Sequence, residues 1–426
     1  MMSLSALIHA PSPCFLSTTH RSTSSPDPST VRSSSMAASA RIAVVGDVHD
    51  DWNLEEDSKA LQLLQGKLKL KKWVLSGRCV KMVFSVIIQT RSGALHRQVF
   101  FSLFVSLSVC FTLGLDSDFG NENVELVQSI ADLNLPKVVI LGNHDSWKTQ
   151  HFSGKRKDGV QRQLECLGEE HVAYKRLDFP TLKLSVVGGR PFSCGGEQIF
   201  RRSLLSARYC VDFFTRIYSI VPHSSITPYP LPLLSALLIY GIQDMDGSAD
   251  RIYNAALGTP EDHMVILLAH NGPTGLGSNL NDICGKDWVF GGGDHGDPDL
   301  AQAISHLKET TTISIPLVVF GHMHKELAYG NGLRKMIVVG ADKTIYLNGA
   351  IVPRVRRLVA EQGTGNTNFM NNETSVFSPG SRGTMRAFTL VEILEGRVDK
   401  IAETWVSVIE DETAIEEEHV LFQRGN

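Results

Sequence analysis

Short runs of Val, Ile and Leu recur along this chain, and four of them stop abruptly at polar residues. The run 42–45 leads into Gly46-Asp47-Val48-His49, and 138–141 into Gly142-Asn143-His144-Asp145. The run 265–269 leads into His270-Asn271-Gly272, and Leu317–Phe320 into Gly321-His322-Met323-His324. Unbroken apolar runs of this length predict strands buried on both faces, and ligands in open α/β sheets sit beyond the carboxyl ends of such strands. Between them the period lengthens to that of a helix. Asp297-Pro298 opens one, with Leu300, Ile304 and Leu307 on a single face, and Val124, Val127 and Ile130 mark another that ends before Pro136. Strand-like alternation then takes over at 335–341, 344–351, 387–394 and 400–408, the last two joined across Glu395-Gly396-Arg397, which predicts a second sheet. The Gly-, Asn-, Thr- and Ser-rich stretch 361–382 reads as a surface loop.

The four strand ends gather Asp, Asn and His, the ligand types that suit Mn, Fe, Zn or Mg, and a Gly precedes the polar group in three of them. A single Asp or His after a strand is usually a loop residue or a helix cap; four together point to a metal centre. Composition adds little to this and removes some alternatives. A formal charge of −4 over 426 residues carries no nucleic-acid footprint and no membrane surface patch. Seven Cys without a Cys-x-x-Cys pair give no support for a disulfide framework or a thiolate zinc site. The length suffices for one large α/β domain.

The order GDVHD, DFGNEN, GNHD, AHNG and GHMH resembles that of the calcineurin-like metallophosphoesterases. The phrases GGRPFSCGG, NDICGKDWVFGGGDHGDPDLAQAI and VVFGHMHKELAYGNGLRKMIVVG look like its plant and cyanobacterial, chloroplast-type branch. The resemblance runs from about Arg41 to the C-terminus, and it implies an α/β fold: a sandwich of two mixed β-sheets flanked by helices, with the metal site at the strand C-terminal ends. It further implies that Asp47, His49 and His324 hold one divalent ion, that Asn143, His270 and His322 hold a second, and that Asp118 bridges them. His144 is then placed beside the scissile bond as a proton donor. Asp145 either orients its ring or caps a following helix. The implied activity is hydrolysis of a phosphate mono- or diester by in-line attack of a metal-bridging hydroxide. A binding or scaffold protein on the same fold, its catalysis impaired, is the alternative, and so is a membrane-associated variant. The substrate class and oligomeric state are not legible.

Arg190, in GGRPFSCGG, is a candidate for holding substrate phosphate through a bidentate contact, with a surface salt bridge as the other reading. Asp294, His295 and Asp297 form a candidate cluster for a further ion, against which stands the capping position of Asp297. Residues 1–40 are about two-fifths Ser and Thr and carry Arg21, Arg32 and the single acid Asp27, a transit-peptide composition. A plastid is the expected destination, with mitochondrion or cytoplasm as alternatives and a plain disordered tail as the plainer reading of the segment.

Two segments, 66–117 and 210–240, break the family pattern. The strand expected to end in Gly directly before the bridging Asp118 is displaced, since Asp118 follows Ser117, and the second segment is dominated by Phe, Leu, Pro and Ser. Gly66-Lys67 is what a read-through splice donor would spell, so both read as retained introns, or else as loops particular to this lineage. The uncharged run 99–115 is short for a membrane span, and a replacement strand over 109–115 is the better expectation.

Overall fold

The computed structural model describes residues 39–48, 51–66, 104–109, 124–152, 157–206, 240–359 and 381–425. His49, Asp118, nearly all of the leader and most of both interrupting segments lie outside these residues.

Two sheets form the centre. The first is built on β1 (Ser39–Gly46), β2 (Phe104–Val109) and β3 (Lys137–Ile140), which run parallel in that order. The sheet continues from β1 through antiparallel β11 (Ser381–Leu394), β12 (Arg397–Ile409) and β13 (Glu412–Gln423), with β10 (Val355–Val359) paired to β11. The second sheet has the order β4 (Arg176–Phe179), β5 (Leu184–Gly188), β6 (Met264–Leu268), β7 (Leu317–Phe320), β9 (Ile345–Asn348) and β8 (Ile337–Val339). Its four central strands β5, β6, β7 and β9 are parallel, and all four are wholly buried.

Period-two alternation decides which side chains meet which layer. In β1, Ile42 and Val44 join Val138, Ile140, Ile266, Leu268, Leu317 and Val319 in a core between the two sheets. Their neighbours Ala43 and Val45 face the other way, into a core with helices α1 (Leu54–Gly66), α2 (Val124–Ala131) and α3 (Gly159–Leu167). After the short α4 (Arg202–Ser206), helices α5 (Met245–Ala256) and α6 (Pro298–Thr310) cover the outer face of the second sheet through Ile252, Leu300, Ala303, Ile304 and Leu307. The result is helices, sheet, sheet, helices. At about 1.5–3 kcal/mol for each fully buried Val, Leu or Ile, the inter-sheet layer is a large share of the fold's driving force.

The four apolar runs are strands, displaced from their expected bounds by a few residues at most, and the helices over 124–131 and 298–310 present the expected faces. Some expectations need correcting. The strand between β1 and β3 lies at Phe104–Val109, earlier than 109–115, so part of the first interrupting segment joins the edge strand β3 to β1. Tyr240, the last residue of the second segment, packs edge-on to Tyr174 at 5.4 Å. β1 starts at Ser39, within the expected leader. Strand β13 was not expected: its acidic, alternately exposed sequence is held by pairing with β12, and its charges suit an edge strand. Among the described residues no helix is long and apolar enough to cross a membrane.

Candidate metal centre

Strands β1 and β3 of one sheet and β6 and β7 of the other deliver their carboxyl ends to a common rim. Gly46 closes β1 against the residue that follows β9: a Cβ there would lie 2.6 Å from the carbonyl carbon of Gly349, so only Gly fits. Gly349 N–H donates to the Phe320 carbonyl (2.7 Å), and Gly321 N–H to the His270 carbonyl (2.9 Å), which ties the ends of β9, β7 and β6 together.

The expected ligands meet in pairs. His270 Nε2 lies 2.8 Å from Asn143 Oδ1, a contact between residues 127 apart that joins one sheet to the other. His324 Nε2 lies 3.7 Å from Asp47 Oδ2. His322 packs edge-on to His270 with ring centroids 4.8 Å apart. Two donors each about 2.1 Å from one ion at 90–120° would be roughly 3.0–3.6 Å apart; the hydrogen-bonded His270–Asn143 pair falls just short of that range and the His324–Asp47 pair just beyond it. Among the described residues no group of three His, Cys, Asp or Glu has the spacing of a complete metal cage. One ligand of the second set is an Asn, and His49 and Asp118 lie outside those residues. The donor set, one carboxylate, one amide and three imidazoles, fits a borderline divalent ion.

Two of these residues hold left-handed backbone, Asp47 at φ 44° and His322 at φ 67°. Such conformations at residues other than Gly cost on the order of 1–3 kcal/mol and concentrate at functional sites. The imidazoles are held neutral, the form that binds a metal. Burial drives His270 well below its ordinary value, with His322 and His144 adding to the effect. Burial likewise takes His322 down to about 3, helped by His295, His324 and His144, and lowers His324, where Arg334 and His144 contribute.

His144 is half-buried at this rim and stacks on Trp147, with centroids 5.0 Å apart. Asp145 is fully buried, and its carboxylate accepts from Gly142 N–H (2.8 Å), while its carbonyl accepts from Gln163 Nε2 (2.9 Å). It therefore braces the strand-end turn that carries Asn143 and His144. The following 3-10 turn has Asn143 at its N-cap, so Asp145 is not a cap.

Arg190 does not form the expected surface salt bridge. It is 1% exposed and pairs with Asp297 at 2.8 Å and with Asp299 at 3.0 Å, an interior contact and not a surface one. Asp297 does sit at the N-cap of α6 but makes no capping bond; its carboxylate goes to Arg190 and to Ser193 Oγ (2.6 Å). Of the candidate cluster for a further ion, Asp294 accepts from Gly275 and Gly296 N–H within its own loop. His295 instead joins the imidazoles, 5.9 Å from the His322 ring and edge-on to Trp288 at 4.9 Å. Cys194 belongs here too, since its neighbours Gly195 and Gly196 lie against His295: Gly196 N–H donates to the His295 carbonyl (3.1 Å), and a Cβ on Gly195 would lie 2.7 Å from the His295 ring. Sequence reading passed it over; its place in GGRPFSCGG, directly after a buried strand, was the available signal.

No family model matches this chain, and no curated protein matches it. Among solved structures, GAP50, described as the anchor in the inner membrane complex of Plasmodium, is 12% identical at a TM-score of 0.34, over 91% of this chain and 90% of that one. A purple acid phosphatase, PPD1 from yellow lupin (Lupinus luteus) seeds, is 10% identical at a TM-score of 0.34, over 90% of this chain and 54% of that one. Likeness at this level decides nothing about the chemistry of this chain.

Proposed function

We propose that this chain is a metal-dependent phosphoesterase that hydrolyses a phosphate mono- or diester. The observation that carries the reading is the meeting of Asp47 with His324, and of Asn143 with His270 and His322, at the facing strand ends of two sheets. On this reading Asp47, His49 and His324 hold one divalent ion, Asn143, His270 and His322 a second, and Asp118 bridges them, its charge offsetting their mutual repulsion. When bound, such a pair supplies Lewis acidity at phosphorus and a nucleophile at neutral pH. His144 delivers a proton to the leaving oxygen from the exposed side of the rim, and Asp145 positions it by bracing the turn. Arg190, buried and paired with Asp297 and Asp299, is given no substrate contact on this reading. The Ser- and Thr-rich, acid-poor leader supports import into a plastid.

The test is metal content and hydrolysis of bis-(p-nitrophenyl) phosphate with Mn by the wild type, His322→Ala and Asp118→Asn. The wild type should take up metal and turn over. Each variant should lose at least roughly ten- to a hundred-fold in metal affinity or rate. Near-full activity in both variants overturns the dinuclear reading, and a wild type that takes up no divalent metal makes the chain a binding protein.

A further inference from the structure

The geometry points to the buried cluster of Arg190, Asp297 and Ser193 as a positioning device that holds the loop tip around Cys194 against His295, whose ring stacks on that of His322 in the candidate centre; this rests on the metal-site reading above. The loop Gly189–Gly196 follows β5 of the second sheet and is stitched to both sheets, with Gly189 N–H donating to the Leu268 carbonyl (2.8 Å) and Phe192 N–H to that of Leu141 (2.9 Å). It thus touches the ends of the strands that carry His270 and Asn143. Left to those two bonds, the tip at 193–196 could pivot.

The cluster removes that freedom. Arg190 reaches across to the start of α6 and pairs with Asp297 (2.8 Å) and Asp299 (3.0 Å), all three within 1% of full burial. Asp297 accepts from Ser193 Oγ (2.6 Å), and the same oxygen accepts from Gly195 N–H (2.9 Å). Cys194 is therefore held between two residues fixed by one hydroxyl. On its far side Gly196 N–H donates to the carbonyls of His295 (3.1 Å) and Gly296 (3.0 Å), and Asn271 Nδ2 donates to that of His295 (2.7 Å). Gly195, at φ 79°, has no room for a Cβ, which would lie 2.4 Å from the His295 carbonyl oxygen and 2.7 Å from its ring.

A loop tip held this firmly fixes the His295 ring that Gly195 sits against, and that ring stacks on His322 with centroids 5.9 Å apart. Loss of a neighbour that orients a ligating His commonly costs roughly ten- to a hundred-fold in metal affinity or activity. A buried arginine pair also costs desolvation that apolar residues would avoid, so its presence beneath a candidate site fits a role in fixing conformation.

Ser193→Ala, Arg190→Lys and Arg190→Met in the full chain test this, with Arg354→Met as control. Arg354 makes an equally buried pair with Asp57 (2.6 Å), beneath α1. Two readouts are needed: ring N–H resonances of His322 and His295 in metal-free, 15N-histidine-labelled protein, and Co(II) affinity with its visible absorption bands. We expect Ser193→Ala and Arg190→Met to shift both ring resonances and weaken Co(II) binding about ten-fold or more, Arg190→Lys to recover part of the loss, and Arg354→Met to lower the melting temperature alone. Unchanged ring resonances in Ser193→Ala and Arg190→Met, or equal Co(II) weakening by Arg354→Met, overturn the positioning role. Ring resonances that shift in the variants while the wild type binds no Co(II) would sink the metal-site reading and leave the loop as a histidine clamp.

Discussion

Gly46→Ala puts a tight backbone junction between the two sheets under load. The added methyl would lie 2.6 and 2.7 Å from the Gly349 carbonyl carbon and oxygen, and 2.9 Å from Ala350 N, against about 3.4 Å for ordinary contact. All three atoms are backbone, so no side chain can swing away, and the ends of β1 and β9 must part by roughly 0.8 Å along the closest contact. Overpacking of this kind costs about 1–3 kcal/mol. The displacement falls on Asp47, the next residue, and passes through the hydrogen bond from Gly349 to Phe320 toward His322 and His324. A working site tolerates about 0.5 Å, and an error near 1 Å costs on the order of a hundred-fold. Mn affinity by titration calorimetry should therefore fall at least ten-fold, beyond what lost stability explains. Gly396→Ala is the matched control: its residue sits at φ 72° in the β11–β12 turn with nothing within 4 Å, so it should cost about 1–2 kcal/mol from backbone strain and leave Mn binding unchanged. Wild-type Mn affinity in Gly46→Ala at a comparable loss of stability would refute the claim that this junction positions Asp47. An unchanged melting temperature would refute the close contact itself.

Three further outcomes follow from the same structure. His144→Ala should keep its metal while turnover falls by roughly two to four decades, as for loss of a general acid; loss of metal would make His144 a ligand. Buried His171 accepts the Leu141 N–H through Nε2 (3.3 Å), and burial takes it from 6.5 down to about 3. The unfolded chain therefore binds a proton that the folded one refuses as pH falls from about 6.5 toward 3. Urea unfolding at pH 4–7 should show stability lost in that window, with a slope shallower by about 1.4 kcal/mol per pH unit in His171→Gln, and an unaltered slope would contradict the assignment. If 66–117 and 210–240 are retained introns, transcript sequencing should find a dominant message that lacks them and encodes a short apolar strand ending in Gly directly before Asp118, in place of Phe104–Val109 between β1 and β3; a dominant full-length message would establish the insertions as protein.

The sequence by itself determined the four buried strands and the polar residues at their ends, because an unbroken apolar run and an abrupt stop are local signals that need no partner. It also determined the helical faces over 124–131 and 298–310, for the same reason. Only the tertiary structure decided which strand ends meet: Asn143 and His270 come together because Val138 and Ile140 pack against Ile266 and Leu268 across the sheets, a relation no local period encodes. The fate of Arg190 was equally out of reach, since its partners lie more than a hundred residues away and an Arg beside Gly and Pro carries no mark of burial. Asp297 bore a capping signal that was correct for its position and wrong for its side chain, because a buried guanidinium outcompetes a helix N-terminus for a carboxylate. Strand β13 was hidden for a related reason: its run of glutamates masks the strand signal, and pairing with β12 together with packing of Ile415, Leu421 and Phe422 on the cores decides its place.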